Sequence, residues 1–275
     1  MNQHSYDQDI IIKNNSDTLV IIFHGLGSNP MELKELTDHV SKLSFDIYVP
    51  LLPYHGQDYI YLSKAKEPLE FYEWGSKLIC ELKQNYKKLI LIGYSFGAGI
   101  SVHYLSNRGD ADAVILLSTG GFFSWGIRFA AFLSKFFGFN YAKTSYTHYY
   151  EEGILPLEYI KWKEKNFPKM PLKMLLKASL AIPDYKPKMK KITAPILMLN
   201  GSKDAISSKK AIERISISIS SKIIVGFKLK GGGHSILKSK KRFHVFEQIL
   251  LFLSEIMNSG EYKKQKTFYK IRTLV

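Results

Sequence analysis

The stretch that decides the fold is Lys88–Ile100, KLILIGYSFGAGI. Leu89 to Ile92 form an unbroken apolar run of strand length, too apolar for a strand with one wet face. Small residues then continue at helical spacing. Ser95 stands at the joint, between Gly93 and Gly97, in the pattern G-x-S-x-G. A strand that turns sharply into a helix crowds its own backbone, so the flanking positions must be small. The turn lifts the serine side chain above the strand end, and the helix aims its unpaired N–H groups at the same spot. Ser95 therefore reads as a displayed nucleophile. The plainer reading is a glycine-rich turn with a capping serine.

Working outward, further apolar runs read as buried strands at 18–24, 46–50, 113–119 and 194–201, with a weaker one at 222–230. Helix-length segments lie between them at 30–42, 68–85, 95–107 and 207–219, and a last one at 241–257. Alternating strands and helices predict an α/β fold: a mostly parallel sheet with helices on both faces and right-handed crossovers. Between Thr119 and Ala194 more than seventy residues carry no strand pattern. A structureless loop of that size does not suit a compact domain. The expectation is a core of residues 1–119 and 194–257, a helical cap insert at 120–193, and a basic tail at 258–275, frayed or loosely docked.

A serine hydroxyl needs a base, and a histidine titrates in the right range. Of the eight histidines, His234 stands out, in KGGGHSIL just past the last strand candidate. The other reading is a solvated loop histidine. The base needs a carboxylate to fix its tautomer. Asp204 fits, ending NGSKD after strand 194–201; its rival reading is a cap for the helix that starts near Ser207. Phe96 N–H is the first candidate oxyanion donor, and Leu26 N–H, in His24-Gly25-Leu26-Gly27, is the second. His24 reads as structural.

Composition bounds the alternatives. The chain has 275 residues and a formal charge of +15, nearly all lysine excess. A basic surface attracts nucleic acid, anionic lipid and acidic substrates alike. No nucleic-acid motif accompanies the charge, so nucleic acid is not an expected partner, and peripheral contact with an anionic membrane stays open as the minority reading. The single cysteine, Cys80, excludes an internal disulfide and reads as a buried core thiol. There is no zinc-ligand spacing, no apolar run of spanning length and no leader-like N-terminus. The expectations are a cytoplasmic monomer or homodimer that needs no metal or organic cofactor.

The order Ser95, Asp204, His234, with the glycine loop 24–27 upstream, resembles the α/β-hydrolase superfamily. The layout is similar to bacterial carboxylesterases and monoacylglycerol lipases. The residues that carry the likeness are FHGLGSNP (23–30), VPLLPYHGQD (49–58), GYSFGAG (93–99), APILMLNGSKD (194–204) and GGGHS (231–235). FPKMPLKMLLK (167–177) resembles the second half of their short cap. The resemblance implies a serine ester hydrolase acting on a small-molecule acyl ester. A thioesterase, an acyltransferase, a lactonase, a carbon–carbon bond hydrolase, and a non-catalytic ligand-binding or membrane-adaptor protein on the same frame are the alternatives.

Two departures stand out. Only one strand fits before 18–24, and Tyr54 replaces the glycine usual before His55-Gly56. Tyr54, Gly25, Phe123 and Met170 are the expected substrate-binding positions. Phe123, Ile127, Ala130 and Phe137 predict a broad apolar cap face, opposite Ser124, Arg128, Ala131 and Lys135.

Overall fold

The computed structural model describes residues 6–108, 110–119, 124–127, 129, 132–133, 141–144, 155–171, 174, 177–178, 186–258 and 268–274. In chain order the strands are β1 (Ile10–Ile12), β2 (Thr18–Phe23), β3 (Asp46–Val49), β4 (Lys88–Tyr94) and β5 (Ala113–Leu117). Then come β6 (Tyr141–Lys143), β7 (Lys169–Pro171), β8 (Ile196–Gly201), β9 (Ile223–Leu229) and β10 (Phe268–Leu274). The main helices are α1 (Lys34–Val40), α2 (Tyr59–Leu62), α3 (Pro68–Lys83), α4 (Phe96–Arg108), α5 (Leu157–Asn166), α6 (Ala211–Ser216) and α7 (Arg242–Asn258).

Eight strands form one sheet in the order β1-β3-β2-β4-β5-β8-β9-β10. Every pairing is parallel except β1 with β3. The apolar runs of β2 and β4 are buried on both faces, as read from the sequence. Along β2, Leu19, Ile21 and Phe23 face one layer with Phe71, Ile79, Ile100 and Tyr104 of α3 and α4. Val20 and Ile22 face the other, with Leu36 and Val40 of α1 and Val245, Phe246, Ile249 and Leu253 of α7. Side chains alternate along a strand, so a continuous apolar run feeds two cores at once.

Chain order reverses between β2 and β4: the chain leaves β2 for β3 on one side and returns to β4 on the other. The loops leaving β2 and β4 therefore diverge there and open a crevice at the carboxyl ends of the strands. Residues 24–27 and Ser95 lie on those loops.

Three expectations are corrected. The tail is not frayed over 268–274: β10 pairs with β9 in parallel through seven residues, from Phe268 against Ile223 to Leu274 against Leu229. The insert is not purely helical, because β6 and β7 pair antiparallel, Tyr141 against Pro171. Cys80 is only partly buried and lines a cleft of about 730 Å³ beside α3 and α4. Among the described residues one strand, β1, precedes β2.

Candidate active site

The turn from β4 into α4 holds Ser95 in the left-handed region, at φ +52°. L-residues rarely adopt it, and such strain collects at functional sites. The neighbours show why glycine flanks the serine. A Cβ on Gly93 would come within 2.5 Å of Ala98 Cα, and one on Gly97 within 2.6 Å of the Phe23 carbonyl carbon. Ser95 N–H donates to Leu117 O at 2.8 Å, which fixes the turn to β5.

Ser95 Oγ lies 2.8 Å from His234 Nε2. On the far side of the ring, His234 Nδ1 lies 2.9 Å from Asp204 Oδ2 and 3.1 Å from Oδ1. Strand ends bring the three together: Ser95 follows β4, Asp204 follows β8 and His234 follows β9. Gly201, at the end of β8, is what lets the His234 loop approach closely. A Cβ on Gly201 would lie 2.6 Å from the Gly232 carbonyl carbon, and Gly231 has φ +77°. Lys203 N–H donates to Gly232 O at 2.8 Å, joining the Asp204 and His234 loops.

Asp204 holds its own loop and no helix, because the helix expected to start near Ser207 starts at Ala211. Its Oδ1 accepts from Ile206 N–H at 2.8 Å and Ser207 N–H at 2.9 Å, while the carboxylate also faces His234. Burial raises its pKa, but the His234 contact and the two N–H donors outweigh burial and hold it below the usual carboxylate range. The group stays charged and oriented.

The loop after β2 is braced by two buried histidines. His24 Nδ1–H donates to Gly25 O at 2.9 Å and Nε2 accepts from Leu52 N–H at 3.0 Å. His55 Nδ1–H donates to Pro53 O at 2.8 Å and Nε2 accepts from Gly27 N–H at 3.0 Å. Burial and the neighbouring His55 hold His24 well below its ordinary pKa, and burial pushes His55 down to about 4. Both are neutral braces. Gly25 lies against the Ser95 turn: a Cβ there would sit 3.3 Å from Ser95 Cβ. Leu26 is between these anchors, partly buried. Phe96 opens α4, where a helix has no carbonyl four residues back to accept its N–H.

The other expected positions divide. Met170, in β7, lies on Gly27, where a Cβ would come within 2.9 Å of its Sδ. Tyr54 takes φ +62°, the conformation that a glycine there would adopt without strain. Its hydroxyl is 3.3 Å from Glu70 Oε2 and its ring packs edge-on to Phe71 at 5.9 Å. Phe123 lies outside the described residues, as do Arg128, Ala130, Ala131, Lys135 and Phe137.

Sequence reasoning missed two supports. Ser118, at φ +46°, donates from its hydroxyl to the His234 carbonyl. Tyr94 stacks on the imidazole at 6.4 Å, and burial pushes its phenol up to about 12. Its place beside Ser95 in the sequence is the one signal that could have pointed to it. No group of three His, Cys, Asp or Glu side chains among the described residues is placed to hold a metal ion. No helix among them is long and apolar enough to cross a membrane.

A parallel sheet with a strained Ser at the β4 turn and a His–Asp pair beyond β8 and β9 defines an α/β hydrolase. The chain belongs to the serine aminopeptidase S33 family, whose model matches residues 14–241. No curated protein sequence matches it. Solved structures share the fold at low identity. One belongs to a report on the metagenome-derived lipolytic enzymes LipS and LipT: 14% identity, TM-score 0.73, covering 92% of this chain and 98% of that one. Paleococcus ferrophilus monoacylglycerol lipase shares 17% identity at TM-score 0.67, over 91% of this chain and 98% of that one. A lipase-esterase related protein from Clostridium acetobutylicum shares 17% identity at TM-score 0.62, over 89% and 98%.

Proposed function

We propose that the protein is a serine carboxylic-ester hydrolase. The observation that carries this is the hydrogen-bonded line Ser95 Oγ–His234 Nε2 at 2.8 Å and His234 Nδ1–Asp204 Oδ2 at 2.9 Å. Ser95 Oγ attacks the ester carbonyl carbon while His234 Nε2 takes its proton. Asp204 holds the imidazole in the reactive tautomer and stabilises the imidazolium that forms. The N–H groups of Leu26 and Phe96 receive the oxyanion; each such donor is worth on the order of 10²–10³ in rate. His234 returns the proton to the leaving alcohol. Water, deprotonated by the same imidazole, then clears the acyl-enzyme and restores Ser95.

The substrate class follows from the apolar side of the site. Met170 beside Gly27, with Leu62 also in reach of that glycine, offers an acyl chain an adaptable apolar wall. A medium-chain acyl ester such as a monoacylglycerol fits this wall best. A panel of esters with graded acyl length, with a thioester and an aminoacyl amide alongside, tests the reading. The account expects the highest kcat/KM on medium-chain esters. A preference for the thioester, or transfer of the acyl group to added alcohol in place of water, replaces it with the thioesterase or acyltransferase reading. Tight binding without turnover on any member points to a ligand binder.

Contact with an anionic lipid surface is a second part of the proposal. Trp125 is 75% exposed, and Phe129 and Phe132 are also exposed. They lie four and seven residues beyond it, at the spacing of one helix face. Lys143, Lys161, Lys165 and Lys169 are exposed on the same insert. Exposed aromatics and exposed lysines on one insert match the acyl boundary and the phosphate layer of such a surface.

A further inference from the structure

Glu32 sits in the turn Pro30–Leu33, five residues beyond Gly27, and is 6% exposed. A carboxylate that deep must be compensated. Oε1 pairs with Lys163 Nζ and Oε2 pairs with Lys238 Nζ, both lysines themselves buried. The Tyr159 hydroxyl lies 3.0 Å from Glu32 Oε1 and 2.9 Å from Asn29 Oδ1.

These partners come from three separate parts of the chain. Asn29 and Glu32 follow the loop that carries Leu26. Tyr159 and Lys163 lie one turn apart on α5 of the insert. Lys238 closes the turn Ile236–Lys238, four residues past His234. His24 is near enough to feel the Lys163 charge, which helps to keep it neutral. Two ammonium groups share one carboxylate, and burial pushes both lysines down to about 7.

Such a cluster is a poor device for stability alone. Buried ion pairs lose much of their attraction to desolvation, and apolar replacements often serve as well. What the geometry does provide is registration. One carboxylate holds the insert, the base loop and the loop after β2 together. Met170 lies four residues past the end of α5, so the wall over Gly27 moves with that helix.

We propose that Glu32 is a positioning residue: its carboxylate fixes α5 and the His234 loop to the loop carrying Leu26, through Lys163 on one side and Lys238 on the other. The two lysines then have separable effects. Lys163 sets the acyl-binding wall, and Lys238 sets the base.

The kinetic side of the test rests on the ester-hydrolase reading, so a second readout does not. In amide hydrogen exchange on the full chain, Glu32→Gln should speed exchange in 157–166 and 234–238 together and leave α4 unchanged. Faster exchange confined to 29–40 overturns the proposal. In kinetics, Lys163→Met should raise KM about tenfold for a medium-chain ester, with kcat on an acetate ester within about twofold of wild type. Lys238→Met should instead lower kcat about tenfold on both esters. Thermal unfolding of each variant is read in parallel, and losses that are equal on both esters and simply follow Tm also overturn it. A wild type that turns over neither ester sinks the hydrolase reading, and the exchange pattern still decides the role of Glu32.

Discussion

Met170 closes over Gly27 so tightly that a Cβ on that glycine would lie 2.9 Å from the methionine sulfur. Gly27 also has φ +66°, so the backbone demands glycine, whereas the flexible tip of Met170 can give way. The consequence is a link between the insert strand β7 and the loop that carries Leu26. Gly27→Ala should lower kcat/KM on a medium-chain ester by about 10- to 100-fold, because Leu26 N–H, the proposed oxyanion donor, shifts. Adding Met170→Ala relieves the collision but not the strained φ. The double variant should recover only part of the loss. Steady-state kinetics on both variants checks this, and full recovery would assign the whole effect to the collision.

Asp204 orients His234 and caps its own loop. Asp204→Asn removes the charge that, in the proposed mechanism, stabilises the imidazolium, and leaves an amide facing Nδ1. Turnover should fall on the order of 10³–10⁴, with KM little changed. Its two N–H contacts, to Ile206 and Ser207, can persist with the amide oxygen, so stability should fall by only about 1 kcal/mol. Kinetics beside a denaturant titration separates the two effects; a collapse of stability would mean that Asp204 is mainly structural.

Asp46 carries an acid-sensitive part of the fold. It is 4% exposed, and burial alone would raise its pKa. The N–H groups of Asn14 and Ser16, at 2.8 and 3.1 Å, outweigh burial together with Tyr86 and Lys13. The folded pKa falls from 3.8 to about 2. A depressed carboxylate stabilises above its unfolded pKa and loses that contribution as pH falls through the folded value. Asp46 should therefore contribute about 2 kcal/mol at pH 6 and almost nothing near pH 2. Denaturant midpoints for wild type and Asp46→Asn should differ at pH 6 and converge in acid; a gap that is independent of pH refutes the assignment.

The lipid contact is read by vesicle co-sedimentation. Wild type should bind vesicles containing phosphatidylglycerol, bind phosphatidylcholine weakly, and release as salt screens the lysines. Trp125→Ala with Phe129→Ala should weaken binding to the anionic vesicles without lowering turnover of a soluble acetate ester. Equal binding of wild type and variant removes the aromatic stripe from the account.

The parts legible in the sequence share a cause. Buried parallel strands must be apolar throughout, and a strained turn must carry glycines, so β2, β4, β5 and β8 and the Ser95 turn announce themselves locally. Asp204 follows such a strand, β8, whereas His234 follows the weaker run of β9 and is marked by the three glycines before it. The unread parts depend on distant partners. FYKIRTL has no decisive pattern of its own, and β10 exists because β9 offers it an open edge. β6 and β7 are three residues each, too short to show a period. Lys163 and Lys238 look like solvated lysines until the fold sets Glu32 between them.

The central claim is that Ser95 is an activated nucleophile, and intact mass after treatment with a fluorophosphonate tests it most directly. The account predicts one adduct on the wild type and none on Ser95→Ala. Equal labelling of both proteins, or no labelling of a wild type that still hydrolyses a small ester, would contradict it.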